Sequence, residues 1–264
     1  MTQLNAIEEN ILVYYWGIAR LLGGQVVEQD HVTWFTTGRQ SSIRFNGVLR
    51  TAIPPGIDLK GIVDPILDVY FSQKLPFFWV DWPVMGTPDL GDYLSRMETP
   101  LLRFSIPAMS RPLNGFPPIS LPKEVDIVRV QTQVDQVDWL NVWMAGFAEP
   151  ESARPYYQAF LVNSLSEPQP VFQHFLARWQ GEPCAISTLL CARLGAGIYH
   201  VATLPAFRGR GLGQALTLTA MQTAQQAGYR QAILFATSAG YPLYVHMGFE
   251  TVTTAILYIG NSHE

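Results

Sequence analysis

The densest chemistry in this chain lies in Val201-Ala202-Thr203-Leu204-Pro205-Ala206-Phe207-Arg208-Gly209-Arg210-Gly211-Leu212-Gly213. An apolar run enters a turn in which Gly209, Gly211 and Gly213 alternate with Arg210 and Leu212 behind Arg208. Glycines let backbone approach a ligand closely, and the N–H groups that open a helix converge on one spot, so the stretch suits a phosphate or diphosphate. Spacing excludes two common cradles. A P-loop closes on Lys-Ser or Lys-Thr, whereas Gln214 and Ala215 follow Gly213. A dinucleotide fingerprint needs a further glycine near 214 to 216 and an acidic residue about 20 positions on, yet no Asp or Glu occurs between Glu182 and Glu250. What remains is Arg-x-x-Gly-x-Gly over Arg208, Gly211 and Gly213.

The elements that must position this loop are legible around it. Leu212, Ala215, Leu216, Ala220, Ala224 and Ala227 recur at helical spacing with Gly228 as a stop, which predicts a helix over 212 to 227 packed closely on a sheet. Gln231 to Thr237 reads as a short buried strand, Tyr244 to Phe249 as a short helix and turn, and Thr251 to Ile259 as a last strand. Upstream, Asp126 to Gln131 is a strand, 135 to 147 and 152 to 165 are helices, and 171 to 179, 183 to 193 and 197 to 204 are strands leading into the loop.

The loop spacing, this element order and Tyr244-Val245-His246-Met247-Gly248-Phe249, a Tyr-x-x-x-Gly-Phe ending, together resemble the coenzyme A-binding region of the GCN5-related N-acetyltransferases (GNAT) over roughly residues 124 to 260. The resemblance implies an α+β fold with a mixed sheet, the acyl-CoA N-acyltransferase fold, and acetyl-CoA as cosubstrate. It implies that the diphosphate rests on the N–H groups of Arg208, Gly209, Arg210, Gly211, Leu212 and Gly213, and that Val201 and Thr203 pair with the pantetheine arm like an added strand. An N–H at or near Ala202 would polarise the thioester carbonyl. Arg208 and Arg210 supply charge, although each could equally be a solvated surface arginine.

Acetylation of an amine by a thioester also needs a base and an acid. Tyr244 stands where the family carries its acid, and a tyrosine hydroxyl, with a reference pKa of about 10, is protonated and able to donate to a departing thiolate. His200, on the strand before the loop, is a candidate base because imidazole titrates near neutrality. Glu149 and water are the alternatives, and a strand histidine can also be purely structural. His246 is expected to face outward. Tyr156 and Tyr157 either line an acceptor cleft or pack.

Residues 1 to 115 lack such a motif, yet their pattern is suggestive. A helix over Leu4 to Leu22 is followed by strands at 25 to 35 and 42 to 53, a helix from Asp58 to Gln73, a strand Phe77 to Trp82, a short helix Asp89 to Met97 and a strand Leu101 to Ile106. From residue 25 onward this repeats the order of the second half of the C-terminal domain, with Tyr93 at the place of Tyr244. The half reads as a degenerate, truncated GNAT-like repeat, or else as an unrelated α+β cap. Its counterpart of the glycine loop, Ile53-Pro54-Pro55-Gly56-Ile57-Asp58-Leu59-Lys60-Gly61, lacks two N–H donors at the prolines and carries Asp58 where a phosphate would lie, so it is not expected to bind coenzyme A. Prolines 107, 112, 117, 118 and 122 predict a stiff connection without regular elements, with 116 to 123 as the linker and 124 to 264 as the acetyltransferase domain.

Composition bounds the rest. Of 264 residues, 48% are hydrophobic and seven are Trp, enough for a sizeable core. A net charge of −4 without a Lys/Arg run argues against nucleic acid and anionic membrane surfaces. Glu8 and Glu9 in a polar helix start fit no signal or transit peptide, and no apolar run is long enough to span a membrane, so a cytoplasmic protein is expected. Cys184 and Cys191, on one expected strand, read as unbridged thiols. The histidines show no metal spacing and no metal is expected. The partner is a small-molecule or peptide amine of unspecified identity, and a homodimer is left open.

Overall fold

A computed structural model describes residues 2–82, 84, 86–116 and 121–260. The chain runs α1 (Gln3–Leu21), β1 (Gln25–Glu28), β2 (Val32–Thr36), β3 (Asn46–Thr51), α2 (Leu59–Ser72), β4 (Phe77–Asp81), α3 (Leu90–Ser95), β5 (Leu102–Pro112) and β6 (Val125–Arg129). It continues α4 (Gln133–Gly146), α5 (Arg154–Leu165), β7 (Phe172–Trp179), β8 (Glu182–Cys191), β9 (Ala196–Thr203), α6 (Leu212–Gln226), β10 (Gln231–Phe235), α7 (Tyr241–His246) and β11 (Glu250–Gly260). Both halves thus follow the expected order. The run at 25 to 35 divides into β1 and β2 around a hairpin turn, and 42 to 53 into a 3-10 turn, Ile43–Phe45, and β3.

Residues divide into two compact units, Ile11–Ala108 with Thr253–Glu264, and Met1–Asn10 with Met109–Val252. These differ from the boundaries expected at 115 and 124. In the first unit, β2 pairs antiparallel with β1 and β3, β3 pairs parallel with β4 at Gly47↔Phe78 and Val48↔Trp79, and β4 pairs antiparallel with β11 from Ile256↔Asp81 to Gly260↔Phe77. The strand expected to finish the C-terminal domain therefore completes the sheet of the N-terminal unit. Periodicity announces a strand but carries no information on its partner, which is a long-range choice. The core of this unit joins Val63, Ile66, Leu67 and Tyr70 of α2 to Trp79, Leu90, Leu94 and Tyr258.

In the second unit the strand order is β6-β7-β8-β9-β10, with β5 beyond β10. The chain leaving β5 stays beside β10: the Leu113 N–H donates to the Arg230 carbonyl at 2.8 Å. The prolines expected to exclude regular structure do not all do so, since Pro107 and Pro112 lie within β5. A fixed φ near −65° is compatible with extended backbone, and only the N–H is lost. Part of the expected linker, 117–120, lies outside the described residues.

The helix α6 buries Leu212, Ala215, Leu216, Ala220 and Ala224, as expected, together with Thr217, Leu218 and Met221. Ala227, assigned to that stripe from spacing, is exposed, because the helix has ended. Gly228 takes φ +90°, its N–H donates to Gln225 O, and the Tyr229 N–H donates to Ala224 O, the two bonds of a Schellman stop.

Candidate active site

β9 and β10 are parallel neighbours at their starts only, with Ala232 facing Ala196 and Ile233 facing Gly197. Among the described residues their ladder goes no further than Gly197, while β9 runs on along β8, with Ala202 opposite Ile186 and Thr203 opposite Ala185. One residue of β8, Ser187, faces two of β9, His200 and Val201, so a β-bulge sits there. His200 adopts φ +55°, a left-handed conformation that costs a non-glycine residue about 1–2 kcal/mol and persists only where surroundings over-determine it. Those surroundings are dense. The imidazole stands edge-on to Trp143 at 4.0 Å between ring centroids, Nδ1 lies 2.9 Å from Thr188 Oγ1, and the residue is 8% exposed.

After β9 a 3-10 turn, Pro205–Phe207, delivers the chain to the glycine loop. Gly209 and Gly211 both take φ +76°, and a Cβ on either would meet nothing within 4 Å, so these glycines supply conformation and bare backbone facing open space. Gly211 is also the N-cap of α6, and no side chain caps that helix. The N–H groups of its first turn are therefore offered outward with the positive end of the helix dipole. Gly213 serves differently. A Cβ there would lie 3.4 Å from Leu243 Cδ2 and 3.9 Å from Val201 Cγ1, so the start of α6, α7 and β9 converge on this one residue. Arg208 donates from Nε to Thr203 O at 3.2 Å, and the Arg210 guanidinium lies over Trp179 at 4.5 Å and Phe207 at 5.3 Å.

The Tyr-x-x-x-Gly-Phe segment has a physical meaning. Gly248, at φ +78°, donates to Val245 O, and the Phe249 N–H donates to Tyr244 O, which makes the motif the Schellman stop of α7. The accompanying apolar contact is Tyr244 against Phe249, 5.9 Å between centroids. This stop and the Arg111 side chain, which donates to Met247 O, fix the helix that carries Tyr244. Burial pushes the Tyr244 hydroxyl up to about 12, so it holds its proton across the neutral range.

Other candidates fall into place. His246 is exposed, as expected. Tyr157 is buried against Trp143 at 4.9 Å. Glu149 is half-buried just past α4, its N–H donating to Met144 O. Cys184 and Cys191 are not bridged to one another. Among the described residues no group of three or more His, Cys, Asp and Glu is arranged to hold a metal, and no helix is long and apolar enough to cross a membrane.

Sequence reasoning missed the neighbours of His200: Trp139 and Trp143 on α4, Thr188 on β8, and His174 on β7. His174 faces Thr188 directly across the ladder and is 0% exposed. The available signal was a histidine inside the apolar run Phe172-Gln173-His174-Phe175-Leu176-Ala177, since a polar residue at an interior strand position needs a partner. Gly146 was also missed. A Cβ there would come within 2.9 Å of Ala202 Cβ, so α4 rests on the strand at the bulge.

Parallel β3–β4 and β9–β10 pairs among antiparallel ones, with helices between the strands, make a mixed-sheet α+β fold. Residues 170–251 match the family model described as acetyltransferase (GNAT) domain. It is similar to a mycothiol acetyltransferase from Streptomyces avermitilis, 32% identical over 160 residues, which cover 57% of this chain and 51% of that protein. The chain thus spans about half the length of the curated relatives it matches. A solved GCN5-related N-acetyltransferase from Kribbella flavida shares the fold, with TM-score 0.71, 18% identity, and 94% of this chain and 93% of that one covered. A tandem GNAT protein from the clavulanic acid biosynthesis pathway shares it at TM-score 0.58 and 11% identity, over 97% of this chain and 96% of that one.

In the N-terminal unit the start of α2, the counterpart of α6, is closed. Asp58 caps it by accepting from the N–H groups of Lys60 and Gly61 at 3.1 and 3.3 Å. A carboxylate thus occupies the place of an anionic ligand. Tyr93, the counterpart of Tyr244, donates to Asp64 at 2.5 Å.

Proposed function

We propose that the chain is an acetyl-CoA-dependent N-acetyltransferase that acylates a primary amine on a small molecule or peptide by direct attack. The observation that carries this reading is the start of α6, where two left-handed glycines with open space in place of a Cβ lead into a helix whose first N–H groups no side chain caps. That arrangement fits the coenzyme A diphosphate, held by the backbone of 209 to 213 with the Arg208 and Arg210 side chains beside it; the Arg208 N–H, expected in the cradle, instead donates to Pro205 O at 3.3 Å and closes the 3-10 turn. A β9–β10 ladder that goes no further than Gly197 leaves one side of Val201, Ala202 and Thr203 for the pantetheine amides. Acetyl-CoA brings the activated acyl group, and the protein does the rest. His200 takes a proton from the amine, whose nitrogen forms the new bond to the acyl carbon. An N–H of the 201 to 203 segment polarises the carbonyl oxygen, and Tyr244 gives its hydroxyl proton to sulfur as the C–S bond breaks.

The curated relatives carry the name mycothiol acetyltransferase, so an acceptor from mycothiol metabolism belongs in the test panel. The protein is incubated with acetyl-CoA and amines while thiol release is followed. Turnover on a subset of amines is expected. Stabilisation by acetyl-CoA without turnover on any amine would replace this reading with a coenzyme-binding sensor, and faster turnover with longer thioesters would redefine the acyl group.

A further inference from the structure

Four side chains of the C-terminal unit form one line of hydrogen bonds. Ser164 Oγ donates to Leu161 O at 2.8 Å and lies 2.9 Å from His174 Nε2. His174 Nδ1 lies 2.9 Å from Thr188 Oγ1, and the same oxygen lies 2.9 Å from His200 Nδ1. Ser164, His174 and Thr188 are each 0% exposed. Donor roles follow from counting protons. A carbonyl can only accept and a hydroxyl has one proton, so the Ser164 proton is committed to Leu161 and His174 must donate from Nε2. Burial, reinforced by the charge of Arg129, pushes His174 down to about 3, so it is neutral and its Nδ1 is an acceptor. Thr188 therefore gives its only proton to His174, and its oxygen accepts from His200 Nδ1–H.

We infer that this line holds His200 in the Nδ1–H tautomer, so that Nε2 is the atom at which His200 takes and returns protons, and that Thr188, His174 and Ser164 are positioning residues for the base. Neutral and protonated His200 both donate from Nδ1, so nothing in the line has to reverse when Nε2 gains the amine proton. Trp143 fixes the ring plane, and the Leu161 carbonyl, which has no donor alternative, anchors the direction of the whole line. The positioning role rests on the proposed acyl transfer, whereas the tautomer assignment does not.

Ring-nitrogen NMR of the full chain labelled with ¹⁵N-histidine tests it near neutral pH, with each histidine assigned by a single His→Gln variant. His200 should show protonated Nδ1 and bare Nε2, and His174 the reverse. Either histidine in the other form overturns the inference, whether or not any amine turns over. The second measurement compares Thr188→Val with Thr188→Ser. Valine should mix the His200 tautomers and lower kcat about 10²-fold with the KM for acetyl-CoA unchanged, while serine restores both. A folded valine variant that keeps both the tautomer and kcat overturns the positioning role. The wild-type spectrum decides the tautomer even if the valine variant does not fold.

Discussion

Tyr244 combines near-complete burial with a short helix whose stop is built from its own carbonyl and ring, so its hydroxyl is both held in place and kept protonated. Tyr244→Phe should lower kcat about 10²-fold while leaving the KM for acetyl-CoA and the melting temperature close to wild type, and unchanged turnover would remove the acid role. His174 makes a different prediction, for stability. Its pKa is lowered in the folded state to about 3 from a reference near 6.5, so the unfolded chain binds the proton more readily. The stabilisation is complete above pH about 6.5 and is lost as pH falls toward 3, at about 1.4 kcal/mol per pH unit from this one group. Urea unfolding of wild type and His174→Gln between neutrality and pH about 4 should give a shallower acid slope for the variant. At this scale the glycines and Tyr244 were legible because their spacing is local. The line from Ser164 to His200 was not, since it depends on the registers of β7, β8 and β9 and on a bulge that puts His200 at φ +55°.

Two equivalent helix starts have opposite endings, and the contrast is chemical. α6 opens on Gly211 with no side-chain cap, whereas α2 opens on Asp58, whose carboxylate takes the N–H groups of Lys60 and Gly61. Asp58→Ala should cost the N-terminal unit about 1 kcal/mol, read by denaturant unfolding, and leave coenzyme A affinity unchanged by calorimetry. Gly211→Val should weaken coenzyme A binding at least about tenfold, because a β-branched residue in the left-handed region costs about 1–3 kcal/mol and displaces the N–H groups. Retained affinity in a folded Gly211→Val protein would sink the cradle assignment. Element identities were readable because each carries its own periodicity, down to α6 and its glycine stop. Element ends were less so: β5 runs through Pro107 to Pro112, since extended backbone tolerates a proline that a helix would not.

The division into units carries the last consequence. A boundary in the proline-rich segment near 116 to 123 looks natural from composition, yet each compact unit draws chain from both sides of it. Residues 253 to 260 belong with 11 to 108, where Tyr258 is 2% exposed in the core and the ladder with β4 runs from Ile256 to Gly260. Residues 109 to 112 and the first ten belong with 113 to 252, where Asn10 donates from Nδ2 to Gly195 O and accepts from Tyr199 at 2.8 Å. Fragments 1–115 and 124–264 made separately should therefore each lack an edge. In the first, β4 loses its antiparallel partner, and in the second, Ala255 and Tyr258 lose the surface that buries them. Neither should show the cooperative urea transition of the full chain. Mixed during refolding, the two should co-purify and recover acetyl-CoA binding together, because the pieces then supply each other's missing strands. A fragment 124–264 that melts alone at the temperature of the intact protein and binds acetyl-CoA with full affinity would show that the strand assignment of β11 carries no stability.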